Sequence, residues 1–192
     1  MSSNDPVPNP HSTVRNRISV MVASITAKLT EPSPTARWTL SFASGYLDLG
    51  MLEKAEKELA RLPPDDHHQP EALTLAGRIL MARRKWEEAL KLFAIGRALY
   101  PRTPDFFVQA AFAYEKMERV LESKNMWELV PQPIRRSSLA HFNLARCEAK
   151  LGNLKAARRH LAKAVTLDPK FQAIFIQDPG LAHLLQSPDT DN

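Results

Sequence analysis

The 192-residue chain carries 26 Lys and Arg against 21 Asp and Glu, a net charge of +5, with 44% apolar and 24% charged residues. That composition is globular and excludes a disordered or collagen-like chain. No apolar run reaches the roughly 18–20 residues needed to span a bilayer, and the single cysteine, Cys147, excludes an intramolecular disulfide and suits a reducing, cytoplasmic setting.

Residues 1–11 are polar and proline-rich and read as a disordered tail. A helical stripe follows over 12–30: Val14, Ile18, Met21, Val22, Ile25 and Leu29, with Arg15, Arg17 and Lys28 and no acid. Ser12 or Thr13 can cap its start. The stretch lacks the clean cleavage site of a secretory leader. Three roles fit an amphipathic helix here: a cover for the first folded unit, a peripheral contact with an anionic membrane surface, or a docking element for a partner or a second copy of the chain.

From residue 36 the chain repeats. Ala55, Ala89, Ser123 and Ala157 sit 34 residues apart in similar surroundings. Counting units from residues 36, 70, 104 and 138, position 8 is Ala43, Gly77, Ala111 and Ala145. Position 17 is Leu52, Trp86, Val120 and Leu154; position 24 is Leu59, Phe93, Trp127 and Leu161. Position 11 is Tyr46, Leu80, Tyr114 and the discordant Glu148, and position 27 is Leu62, Gly96, Val130 and Ala164. The periodicity predicts helices near 36–49, 53–62, 70–83, 87–99, 104–117, 120–130, 138–151 and 155–167, the second of them shortened by the RLPPDD stretch. Trp86 is expected in the packed interior. Gly96, inside a helix, is expected at a close helix contact that offsets its propensity cost of about 1 kcal/mol.

The period and the small and bulky positions resemble the tetratricopeptide repeat, a 34-residue pair of antiparallel helices. The resemblance covers residues 36–171 as four repeats, 36–69, 70–103, 104–137 and 138–171. It implies an all-α fold, a right-handed superhelical solenoid of antiparallel helix pairs, in which each unit packs on its neighbours. Residues 172–186, QAIFIQDPGLAHLLQ with its Asp178-Pro179-Gly180 break, look like the capping segment that closes bacterial arrays; 187–192 read as a tail.

The resemblance also implies a function: a non-enzymatic scaffold that binds another protein in a concave groove lined by the first helix of each pair. The groove positions place there Arg37, Leu40, Leu75, Arg78, Met81, Val108, Gln109, Phe112, Lys116, Phe142, Asn143, Arg146 and Lys150. Apolar anchors beside basic residues suit an acidic or amphipathic peptide. The positions that grip chaperone C-termini in some relatives hold Leu40, Ser44, Leu75, Asp105 and Gln109, and do not match that clamp.

Little in the sequence points to chemistry. The six histidines are scattered without metal-ligand spacing, and no phosphate loop or dinucleotide turn is present, so no cofactor or metal is expected. Cys147 falls inside a helix as a packing residue. The basic clusters ARRKW, PIRRSS and AARRHL are not expected to form one tract, so nucleic acid is not the expected partner.

Overall fold

The computed structural model describes residues 33–181 and Leu184, and the 12–30 stripe lies outside them. The helices are α1 (Pro34–Asp48), α2 (Leu52–Leu59), α3 (Pro70–Ala82), α4 (Trp86–Leu99), α5 (Asp105–Lys116), α6 (Val120–Leu129), α7 (Ser138–Lys150), α8 (Leu154–Leu167) and α9 (Lys170–Gln177). Short 3₁₀ turns at Pro64–His68 and Ile134–Arg136 join pairs. Among the described residues there is no strand, and the architecture is an all-α helical-repeat solenoid. None of the described helices is long and apolar enough to cross a membrane.

Local chemistry sets the boundaries. Ser33 accepts from the Ala36 amide at 3.1 Å and starts α1 two residues earlier than the periodicity alone predicts. Ser137 caps α7 the same way, through the Ala140 amide at 3.2 Å. Helix α2 is short because Pro63 and Pro64 follow it; proline's missing N–H and fixed φ favour the 3₁₀ turn that takes its place.

The turns inside the four pairs α1–α2, α3–α4, α5–α6 and α7–α8 are copies of one another. Gly50, Arg84, Glu118 and Gly152 all take positive φ, at 72°, 60°, 60° and 80°. The amide one residue on reaches back across the turn each time: Met51 to Tyr46, Lys85 to Leu80, Arg119 to Tyr114 and Asn153 to Glu148, at 2.8–2.9 Å. Such 6→1 bonds end a helix by satisfying an orphan carbonyl, and they require the left-handed residue. Two copies supply glycine; two force a residue with a Cβ into that region.

The core is a chain of local clusters along the array. Position 8 (Ala43, Gly77, Ala111, Ala145) and position 20 (Ala55, Ala89, Ser123, Ala157) are buried in every pair, which lets the two helices of a pair approach. A Cβ built on Gly77 would run into the ring of Phe93, and one on Gly96 into the ring of Phe106 on the next pair. Gly96 is therefore the hole for a neighbouring knob, as expected. Trp86 departs from expectation: it is half-buried and Leu154, its equivalent, is exposed. Both are the first residues of their helices, at the lip of the hairpin, where only the turn covers them.

Position 11 of the last pair, Glu148, is buried yet charged. Lys124 lies 3.1 Å from its carboxylate and Asn153 donates at 2.8 Å. Burial disfavours the charge, but these partners outweigh it and hold the carboxyl below its ordinary pKa; the Glu148 bond raises that of Lys124. Next to it, Cys147 lies 3.8 Å from the buried Ser123 hydroxyl, and burial pushes the thiol up.

Two expected outcomes test this reading. Replacing Arg84 and Glu118 with glycine removes a left-handed cost of about 1–2 kcal/mol each, less glycine's entropic penalty of about 0.5–1 kcal/mol. Thermal unfolding followed by circular dichroism should show a higher melting temperature for each variant. Gly96→Leu overfills the contact with Phe106 and should lose about 1–3 kcal/mol; a melting temperature at or above the parent would show that Gly96 is not at a close contact.

Candidate functional site

The first helices of the pairs, α1, α3, α5 and α7, line one face of the array. Along them the sequence-predicted groove residues divide into an open part and a covered part.

The open part centres on a pocket of about 310 Å³ between α1, α3 and α5, lined by Leu40, Ser44, Pro70, Glu71, Thr74, Leu75, Arg78, Thr103 and Asp105. It unites three predicted residues, Leu40, Leu75 and Arg78. Leu40 and Leu75 are buried in the cluster that joins the first two pairs, so they form the floor of the pocket. Arg78 stands at the edge and pairs with Asp48 at 2.9 Å. Arg37 is exposed at the start of α1. Pro70 and Thr103 come from the junctions between pairs and were not among the predicted residues. Helix-start chemistry marks Pro70 in the sequence, but nothing in the periodicity brings Thr103 to the pocket.

Farther along, Met81, Val108, Gln109 and Phe112 are half-buried. Phe112 stands edge-on to Trp127 with ring centres 5.4 Å apart, a favourable aromatic geometry that fixes its ring. Lys116 and Lys150, at the C-terminal ends of α5 and α7, are exposed and make no ion pair among the described residues.

The covered part differs from expectation. Phe142, Asn143 and Arg146 were expected to face an open groove, but the C-terminal segment lies over this end. Phe142 is buried in one cluster with Phe175, Leu181 and Leu184, and its ring meets Phe171 at 5.2 Å. Asn143 is buried and donates to the Leu139 carbonyl at 2.9 Å. Arg146 bridges Glu115 on α5, at 2.5 Å, to Asp178 in the C-terminal segment, at 3.0 Å. Its charge is engaged inside the molecule. The physical reason is that terminal apolar surface must be covered, and here the cover also reaches the inner face.

Among the described residues, no group of three or more His, Cys, Asp and Glu is placed to hold a metal. His141 and His160 face each other through their Nδ1 atoms at 3.1 Å between α7 and α8, so one donates and the other accepts. Burial lowers the pKa of both, helped by Lys163 on His141 and by His141 itself on His160. Of the basic clusters, ARRKW has Arg83 held by Glu56 at 2.6 Å and Glu53 at 3.3 Å. Arg135 and Arg136 share a separate recess with His141 and Lys163, away from the pocket.

The tetratricopeptide-repeat sequence profile matches residues 138–171. No curated protein matches the chain in sequence. Several solved structures share the fold. A thermophilic tetratricopeptide protein of Thermus thermophilus superposes with a TM-score of 0.64 at 16% identity, covering 92% of this chain and 95% of its own. A fragment of MamA from Desulfovibrio magneticus RS-1 gives 0.63 at 17% identity, with 80% and 91% covered. YrrB, described as a tetratricopeptide protein with an unusual peptide-binding site, gives 0.58 at 18% identity, with 77% and 81% covered. The repeat profile thus matches the last full helix pair, and the array shares the fold of these tetratricopeptide structures.

Proposed function

We propose that the chain is a non-enzymatic protein-interaction scaffold that takes an amphipathic peptide segment of a partner protein across α1, α3 and α5. The pocket of about 310 Å³ over Leu40 and Leu75 carries this reading. It has the size and the apolar floor for one anchoring side chain of a partner, and pockets with a few convergent polar groups are where proteins take ligands. The peptide-binding site ascribed to YrrB supports a peptide as the occupant.

The polar rim sets the partner's character. Glu71 and Asp105 lie at the N-terminal ends of α3 and α5, whereas Lys116 and Lys150 lie at the C-terminal ends of α5 and α7. The groove therefore has an acidic edge and a basic edge, with apolar residues between. An amphipathic segment laid across the helices presents its acidic side to the lysines and its basic or neutral side to the acids; electrostatic matching of this kind sets orientation and on-rate more than raw affinity. The lone buried thiol, Cys147, suits a reducing compartment such as the cytoplasm.

A test fills the pocket without disturbing the core. Thr74 lines the pocket and is only half-buried, so Thr74→Arg occupies the space. Peptides selected from a random display library on the parent protein should bind the variant at least about tenfold more weakly, a loss of about 1.4 kcal/mol. The circular dichroism spectrum should stay unchanged. Undiminished binding with an intact spectrum would place the peptide site elsewhere.

A further inference from the structure

Positions 3, 7, 10 and 14 of the first helix in each pair face the pair before it. On α5 and α7, positions 3 and 10 are Phe106 and Ala113, and Ala140 and Cys147, all buried; on α3 they are Ala72 and Ile79, also buried. The preceding second helix covers them each time. Ala89, Leu90 and Phe93 of α4 share a cluster with Phe106, Ala110 and Ala113 of α5. Trp127 of α6 does the same for Ala140, Leu144 and Cys147 of α7.

On α1 the same four positions are Trp38, Phe42, Gly45 and Leu49, and none of them is buried. Trp38 is 68%, Phe42 56% and Leu49 75% accessible. The rings of Trp38 and Phe42 stack at 6.5 Å, and a Cβ on Gly45 would meet nothing within 4 Å. A mid-helix glycine between large apolar residues weakens α1 unless another helix comes close there. The face has the register of an inter-pair contact with its partner helix missing from the described residues.

The occupant is found by running the period one unit upstream, from residue 2. Positions 17, 20 and 24 of the second helix then fall on Ile18, Met21 and Ile25, all apolar. Position 27, which meets position 3 of the following pair, is Lys28, whose aliphatic stem can lie on the Trp38 ring with its ammonium at the rim. Four residues separate Leu29 from Pro34, against five between Leu99 and Asp105 where α4 hands over to α5. The tether is thus one residue shorter than the shortest junction between pairs, the others running to eight and ten residues.

We propose that residues 18–29 dock on the Trp38–Phe42–Leu49 face as the second helix of a leading unit, covering that face of α1. The segment is then an internal cover, and its apolar stripe is spent on α1 rather than on a membrane or a second copy.

Engineered disulfides in the full-length chain test the occupant and its register together. Ile25 and Phe42 correspond to Phe93 and Ala110, buried in one cluster. Ala23 corresponds to position 22, whose residues Lys57, Lys91, Asn125 and Arg159 are exposed in every pair. Under mild oxidation, Ile25→Cys with Phe42→Cys should form an intramolecular bridge in a monomer, read by non-reducing electrophoresis and mass spectrometry. Ala23→Cys with Phe42→Cys should not. These replacements leave the described core intact, which circular dichroism checks. A disulfide-linked dimer would overturn the proposal in favour of a second copy. Two open thiols in the first variant, or equal bridging in both, would overturn the docking or its register.

Discussion

Close approach of two helices at small residues is the constraint on which the rest depends. Gly77 yields to Phe93 within a pair, Gly96 yields to Phe106 between pairs, and the buried position-8 and position-20 alanines keep the helices of each pair together. A knob entering a hole of this kind is unforgiving, because a protein interior is packed to crystal density and a methyl group has nowhere to go. Each such contact is local, so the array holds together as a series of neighbouring interfaces. A series has two ends. At one, Phe171, Phe175, Leu181 and Leu184 cover the last pair; at the other, nothing among the described residues covers Trp38 and Phe42 of α1.

The periodic part of this arrangement was legible because it is written in residue size. Alanine or glycine at fixed spacing, with leucine or an aromatic beside it, names the inward faces before any coordinate is known. The left-handed turn residue was half legible: Gly50 and Gly152 announce it, whereas Arg84 and Glu118 adopt it because the repeated turn and its 6→1 bond leave no other conformation. What the period could not report was anything contributed by a segment outside it. Position 5 faces the groove in every unit, and Phe142 occupies that position, yet it is buried because the non-repeating C-terminal segment folds over it. Arg146 was read as a groove cation for the same reason. A pattern specifies which way a side chain points, and only tertiary structure says what stands opposite.

A buried charge at a repeated core position shows how a mismatch is accommodated. Glu148 stands where the other units have Tyr46, Leu80 and Tyr114. A buried carboxylate without partners is costly, and removing one member of a buried pair typically costs about 3–5 kcal/mol. Lys124 and Asn153 supply the partners here, from α6 and from the turn before α8. Ser123, the serine in a series of alanines, lies beside Cys147 in the same region. The contact between the last two pairs therefore adds matched polar groups to its apolar cluster, whereas that between α4 and α5 is mainly apolar, with Arg97 over the Phe107 ring.

That distribution of charge bears on function. Among the described residues, the side chains with clearly displaced ionisation are Lys124 with Glu148, Cys147, His141 with His160, Tyr100, and the half-buried Arg83, Arg119 and Glu122. Burial is the main cause for Tyr100, with Glu71 second, and for Cys147, His141 and His160, whereas Arg119 is shifted by its pairing with Glu122 at 2.8 Å. None of them lines the pocket over Leu40 and Leu75. Catalytic sites gather perturbed groups in a cleft, because acids, bases and nucleophiles need shifted pKa values to work. Here the perturbed groups lie elsewhere, and the pocket is lined by a leucine floor, hydroxyls, Glu71, Asp105 and Arg78 paired with Asp48. A surface arranged in that way suits the proposed recognition of the shape and polarity of a bound chain.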